Sequence, residues 1–218
     1  MPTPIIIFSD FDGTIAQNDV GDLLFKVYGD WQECEKAIQQ WLRDEISSRE
    51  CLEREAATAR FTQEQLDNFC DAQLLTPGFL EFAEFCRQQH FPLIVLSDGL
   101  DYYIQRILWR YGLDLPVYAN RLEFFGSDRI SVGFPYLAKS CGRCGNCKGY
   151  HIRRLAKPEE KIVYIGDGYS DRCGIQEAEI IFAKGDLAKW CDEHTIKYFC
   201  FENFENVLNC FKGKLLAV

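Results

Sequence analysis

The chain has 218 residues, with 24 Lys and Arg against 33 Asp and Glu, a net charge of −9. The length suits one α/β core with a smaller inserted lobe, and 17 Phe, 10 Tyr and 4 Trp are enough to build a sizeable interior. The acidic balance argues against nucleic acid or an anionic membrane as partner, because either would need a basic surface. No apolar run approaches the roughly 20 residues of a membrane span. The early run Ile5-Ile6-Ile7-Phe8 is too short for the apolar stretch of a leader, so a cytoplasmic location is expected.

In chain order, residues 5–9 (IIIFS) form a short apolar run that ends at an Asp-Gly-Thr turn, the pattern of a buried parallel strand feeding a loop. Residues 18–76 then lack a strand pattern and are rich in Glu, Gln, Arg and Ala. They read as an all-helical insertion, with helix starts at Ser47 (Glu50 three residues on) and Thr62 (Gln65 three residues on). Residues 79–89 carry a helical pattern, 93–97 (LIVLS) a second buried strand, and 100–111 another helix. The stretch 113–140, punctuated by Gly, Pro and Asn, is expected to form a strand pair and a loop at the sheet edge. A helix over 149–156 follows, then strands at 162–165, 179–183 and 197–201. Strands alternating with helices imply a doubly wound, mostly parallel α/β sheet. The expected division is a core of residues 1–17 and 77–218 with a helical cap of residues 18–76.

Three of these strands end in polar residues, and open α/β sheets bind ligands at that edge. The first delivers Asp10-Phe11-Asp12-Gly13-Thr14. Carboxylates two residues apart at a strand end can face one way, one attacking phosphorus while the other handles a proton. The second delivers Ser97, Asp98 and Gly99, whose hydroxyl and backbone N–H groups suit a phosphate oxygen. The third delivers Gly166-Asp167-Gly168-Tyr169-Ser170-Asp171. Its hard oxygen ligands suit Mg²⁺, and Ser170 or Asp171 can equally start the next helix. Lys148, ahead of a helix, supplies a cation for the nucleophile and the transferred group. Each element alone has an ordinary structural reading as a turn, a cap or a solvated lysine.

Their order is distinctive. DxDGT, a strand-end Ser, a Lys and then GDGxxD resembles the haloacid-dehalogenase-like hydrolases, with the helical insertion where that family places its cap. The resemblance implies that Asp10 forms an aspartyl-phosphate and that Asp12 protonates the leaving alcohol and then activates water. It also implies that Mg²⁺ sits on the Asp10 carboxylate, the Asp12 carbonyl and Asp167, with Asp171 in support through water. Ser97 and Lys148 would hold the phosphoryl oxygens. DFDGTIAQND at 10–19 and CGRCGNCKG at 141–149 resemble the phosphoserine-phosphatase-like subgroup, and within it the methionine-salvage phosphatases of 2-hydroxy-3-keto-5-methylthiopentenyl-1-phosphate. The expected partner is therefore a small-molecule phosphate ester. Phosphoserine, phosphocholine and phosphoethanolamine are alternatives, as is a phosphomutase using the same Asp pair. Asn18 and Asp19, at the cap entrance, are candidate substrate contacts.

The 11 Cys, odd in number and scattered, do not form the framework of a secreted protein. Cys34, Cys51, Cys70 and Cys86 fall in helical patterns as small buried residues. Cys141, Cys144 and Cys147 stand at metal-ligand spacing, and His151 offers a fourth ligand for Zn²⁺. A loop of reduced thiols and a reversible disulfide are the other readings. A non-catalytic zinc module would be the competing class of function, one with no use for both Asp10 and Asp12.

Overall fold

A computed structural model of the protein describes residues 4–215. Seven strands form one sheet: β1 (Ile5–Ser9), β2 (Leu93–Leu100), β3 (Val117–Phe125), β4 (Arg129–Gly133), β5 (Lys161–Gly166), β6 (Ile180–Ala183) and β7 (Phe199–Cys200). Their order across the sheet is β4-β3-β2-β1-β5-β6-β7, parallel throughout except for the antiparallel β3–β4 pair at the edge. The chain builds outward from β1 through β2, β3 and β4, then returns to lay β5, β6 and β7 on the other side. This reversal makes β1 the switch point, where a doubly wound sheet opens a crevice beyond its carboxyl ends.

β1 is central because it is apolar on both faces. Ile5 and Ile7 pack into one core and Ile6 and Phe8 into another on the opposite side. Burial of each such side chain contributes about 1.5–3 kcal/mol. One face is covered by α5 (Phe79–Gln89), α6 (Asp101–Arg110) and α10 (Phe204–Cys210). The other is covered by α7 (Lys148–Leu155), the short α8 (Arg172–Ile175) and α9 (Gly185–Glu193).

Four helices fill the interval between β1 and α5: α1 (Val20–Tyr28), α2 (Trp31–Leu42), α3 (Ser48–Thr58) and α4 (Gln63–Asp71). Both starts read from the sequence are present. The Ser47 hydroxyl accepts the Glu50 N–H at 3.1 Å, and Thr62 and Gln65 form a reciprocal capping box. The segments entering and leaving these helices run side by side, Ala16 bridging Leu75 and the Thr76 N–H donating to the Ile15 carbonyl at 2.8 Å. That pairing lies beside the boundaries expected at 17 and 77. The expected core division also includes residues 1–3 and 216–218, which lie outside the described residues.

Strand limits differ from the sequence reading by one residue at β5 and β6 and by more at β2 and β7. β2 runs on through Ser97-Asp98-Gly99 to Leu100, and β7 keeps only residues 199–200 of the expected 197–201. β2 continues because Asn120 Nδ2 donates to the Asp98 carbonyl at 2.7 Å, tying its polar end to β3. Among the described residues, no helix is long and apolar enough to cross a membrane.

Candidate active site

Neighbouring strands β2, β1 and β5 bring their polar ends to one place. Gly13 turns the chain after β1 with φ +67°, and a Cβ there would meet Asp167 Oδ2 at 2.5 Å, so the position requires glycine twice over. The Gly13 N–H closes the turn on the Asn18 carbonyl at 2.9 Å. Thr14 donates to Asp167 Oδ1 at 2.6 Å, joining the first and third motifs directly.

Lys148 opens α7 beneath this turn and is completely buried. Its ammonium donates to Asp10 Oδ1 at 2.7 Å, Asp171 Oδ1 at 2.5 Å and Ser170 Oγ at 2.9 Å, so all three of its protons are used. Burial alone would lower its pKa, but the charges of Asp10 and Asp171 more than offset that and hold it above the usual lysine value. Asp171 is equally engaged: Oδ1 also accepts from the Tyr164 hydroxyl at 2.6 Å, and Oδ2 accepts the Asp167 and Gly168 N–H groups, each at 2.9 Å. Its carboxylate therefore folds the 167–168 turn and fixes Lys148.

Asp12 lies on the other side of the turn. Its Oδ1 accepts the Val20 N–H at 3.0 Å, at the start of α1, and its Oδ2 accepts from Tyr103 at 2.8 Å and Ser97 at 3.2 Å. Burial, with repulsion from Asp19, pushes its carboxyl up to about 7, against the pull of those hydrogen bonds. An acid–base group of this kind can both give and take a proton near neutrality. Burial raises Asp10 well above the carboxylate range, with Asp171, Asp167 and Asp12 adding repulsion that Lys148 reduces. Burial and Asp171 push Asp167 up to about 6.

Burial is the main cause of these raised values, and repulsion among the carboxylates adds to it. Four carboxylates meet here, and the ammonium groups acting on them are those of Lys148 and Lys184, the latter beyond β6. Oxygens of Asp10, Asp167 and Asp171 lie within 4.8 Å of one another. A hard divalent cation on oxygen ligands fits this set and would offset the repulsion.

The cleft above has a volume of about 410 Å³. Its floor includes Asp10, Asp12, Ser97, Asp98, Gly99 and Asp167, and its roof includes Phe25, Ile38, Trp41 and Leu52 from α1, α2 and α3. Gly99 is obligatory, since a Cβ there would fall on the Tyr103 hydroxyl and crowd Asp12 Oδ2 at 2.7 Å. Asp98 turns away to hold the strand end, its Oδ1 accepting the Asn146 N–H at 2.7 Å. Asp19 lines the cleft and caps α1 by accepting the Asp22 N–H at 2.9 Å. Its carboxyl is pushed up to about 7 by the surrounding protein and by Asp22, an effect that water in the open cleft moderates. Asn18 is exposed and does not line the cleft; its contribution is the main-chain carbonyl on Gly13.

The structure corrects one assignment outright. His151 does not join the cysteines. It is buried against Tyr118 and Tyr136, with Nε2 2.7 Å from Asn146 Oδ1, and burial beside Arg154 lowers its pKa to about 4. The neutral ring donates to Asn146, which in turn holds the Ser97 and Tyr118 carbonyls, each at 2.8 Å. The fourth thiol beside Cys141, Cys144 and Cys147 belongs to Cys173. Sequence reasoning also missed Thr14, Tyr103, Asn146 and Tyr164. Of these only Thr14 carried a signal, as the last residue of DxDGT.

Residues 7–176 match the family model described as haloacid dehalogenase-like hydrolase, and the chain belongs to that family. The chain is 29% identical over 213 residues to the 2-hydroxy-3-keto-5-methylthiopentenyl-1-phosphate phosphatase of Brevibacillus brevis, covering 95% of each chain. It is 28% identical to the protein of the same name from Lysinibacillus sphaericus, covering 93% of this chain and 92% of the relative. Its fold is shared with a solved substrate complex of phosphoserine phosphatase, with a TM-score of 0.75, 20% identity, and coverage of 96% of this chain and 99% of that one.

Proposed function

We infer that this hydrolase is a Mg²⁺-dependent phosphatase of a small phosphate monoester and that it works through an aspartyl-phosphate on Asp10. The observation carrying this reading is the division of labour between two carboxylates of one turn. Asp10 is held on the Lys148 ammonium, and Asp12, two residues on, sits among Tyr103, Ser97 and the Val20 N–H with a carboxyl near neutrality.

On this reading Asp10 attacks phosphorus and the P–O bond to the leaving alcohol breaks as the new bond forms. Asp12 gives its proton to the departing oxygen. It then takes a proton from the water that attacks phosphorus, releasing inorganic phosphate and freeing Asp10. Ser97 donates to a phosphoryl oxygen, and Lys148, whose three protons are all taken in the resting site, holds charge on the phosphoryl group by giving up one of those bonds. Mg²⁺, carried by Asp10, Asp167 and the Asp12 carbonyl with Asp171 behind, would supply charge neutralisation between nucleophile and phosphate.

The substrate proposed is 2-hydroxy-3-keto-5-methylthiopentenyl-1-phosphate, as for the named relatives. The apolar roof of Phe25, Ile38, Trp41 and Leu52 suits a methylthio tail. Phosphoserine fits less well, because among the described residues no Lys or Arg lines the cleft to meet its carboxylate, and Asp19, Asp22 and Glu55 do line it. Those acidic groups favour a second reading, an amine-bearing ester such as phosphoethanolamine or phosphocholine. Glu55 is buried, and burial with repulsion from Asp22 and Asp19 raises its carboxyl well above the usual range. A protonated Glu55 would donate to a keto oxygen, whereas an ionised one would bind an ammonium.

Steady-state kinetics on the four esters separate these readings. A kcat/KM for the methylthio ester at least about tenfold above the others, corresponding to about 1.4 kcal/mol of transition-state preference, is expected. Preference for phosphoethanolamine or phosphocholine would overturn the substrate, and transfer to an added sugar phosphate in place of water would make the enzyme a mutase.

A further inference from the structure

Cys141, Cys144 and Cys147 lie on the loop that leads into α7, while Cys173 lies in α8, 26 residues beyond Cys147. The sulfurs of Cys141 and Cys144 are 3.4 Å apart, those of Cys144 and Cys173 3.9 Å, and those of Cys173 and Cys141 3.8 Å. All four sulfurs lie within 4.8 Å of one another. Disulfide sulfurs would be about 2.05 Å apart. Thiolates around a tetrahedral ion with metal–sulfur bonds of about 2.3 Å stand about 3.8 Å from one another. The spacing is that of ligands around a shared centre.

We propose that these four cysteines hold a structural Zn²⁺ ion. Four S–H bonds break, four Zn–S bonds form and four protons leave to solvent, giving a tetrathiolate site of net charge −2. The set is closed, with no position left for water or substrate, so its contribution is to folding geometry. Cys147, the residue before α7, is buried, whereas Cys141 is exposed, so the ion sits between the start of α7 and the surface.

The placement shows what the ion would tie together. Cys147 immediately precedes Lys148, and Cys173 follows Asp171 by two residues. The ion therefore staples the two segments whose side chains meet in the 2.5 Å Lys148–Asp171 pair. The same loop touches the helices over the cleft. The Arg143 carbonyl accepts the Ser48 N–H at 2.9 Å, the Gly145 N–H donates to Ser48 Oγ at 2.8 Å, and Arg143 pairs with Asp44. Residues 140–147 form no helix or strand, and Asn146 anchors only the end of the loop beside Lys148, so the ion would order the stretch from Cys141 to Cys144.

The test is metal analysis of untagged protein purified under reducing conditions and dialysed against a chelating resin, followed by cobalt replacement. One zinc per chain is expected, and the cobalt form should show the visible bands of a tetrahedral tetrathiolate. Cys173→Ser and Cys141→Ser should lose the zinc, and His151→Gln should keep it. Since a cysteine variant can fail to fold, cobalt titration of the wild-type apoprotein stands independently. Less than about a tenth of a zinc per chain together with no tetrathiolate bands would overturn the proposal. So would stoichiometric iron, two disulfides in the freshly purified chain, or loss of zinc on changing His151 alone.

Discussion

The Tyr103 hydroxyl donates to Oδ2 of Asp12 across 2.8 Å, with the tyrosine fully buried in α6 and the aspartate at the end of the turn after β1. The bond favours the ionised carboxylate, so it restrains a pKa that burial drives up to about 7. Removing the hydroxyl in Tyr103→Phe raises that pKa further. A hydrogen bond to a charged group contributes about 1.5–3 kcal/mol, which corresponds to about one to two pH units. Asp12 must be protonated for the first step, so the alkaline limb of kcat/KM should move to higher pH by about that amount. A pH–rate profile checks it; an unmoved limb would mean that another group gives the proton.

Lys148 has no proton to spare and no access to water, which makes its loss costly in two ways. Lys148→Met leaves Asp10 and Asp171 buried without their shared cation, and breaking such a pair costs about 3–5 kcal/mol. Chemical denaturation should show that loss. In the folded fraction, kcat should fall by about 10²–10³, as for other removed transition-state donors. A variant of unchanged stability would mean that the ammonium does not hold the two carboxyl groups in the fold.

Much of this site could be read before the fold was known, because its signals are local. IIIFS, LIVLS and IVYI are apolar on both faces and end at Asp-Gly or Gly-Asp turns, which is what a buried parallel strand at a ligand edge requires. Tyr103 and Asn146 were not legible. Tyr103 acts through its bond to Asp12 and Asn146 through bonds to Asp98, Ser97, Tyr118 and His151, and nothing beside a helical Tyr or a loop Asn marks such partners. Cys173 was hidden for the same reason, since it sits two residues after the Asp-rich third motif, far from the C-x-x-C-x-x-C run it completes. His151 stood at a plausible ligand spacing, but its ring is claimed by Tyr118, Tyr136 and Asn146. The roof over the cleft is a matter of which faces of α1, α2 and α3 turn inward, and packing decides that.

Asp167 accepts from Thr14 on one oxygen, and its other oxygen fills the space that a Cβ at position 13 would need, so it is a placed side chain. Asp167→Ala should raise the Mg²⁺ concentration for half-maximal activity at least about tenfold, within the 10–100-fold range for altered metal-site groups. Titration of activity with Mg²⁺ reads this directly. An unchanged requirement would place the ion elsewhere.

The crowded carboxylates also predict how stability depends on pH. Asp12 and Asp167 are raised from 3.8 to about 7 and about 6 in the fold. Between those values the folded state binds more protons than the unfolded state, so stability falls as pH rises through that window. Without Mg²⁺, the melting temperature should therefore drop from about pH 5 to about pH 8, and added Mg²⁺ should raise it more at the higher pH. A Mg²⁺ effect equal at both pH values would contradict a site built on these groups.

Asp10 is the residue expected to carry the phosphoryl group. Asp12→Asn removes both the acid of the first step and the base of the second. With a ³²P-labelled ester whose leaving group needs no proton, p-nitrophenyl phosphate, only the second step is impaired. The intermediate should therefore accumulate when the variant is mixed with that ester and Mg²⁺ and quenched in acid. The label should be acid-stable and labile to hydroxylamine, approach one per active site, and map after borohydride reduction to position 10; Asp10→Asn should take up none. Label at another residue, or hydrolysis by the wild type with no phosphoryl-enzyme at any time in a rapid quench, would contradict the account.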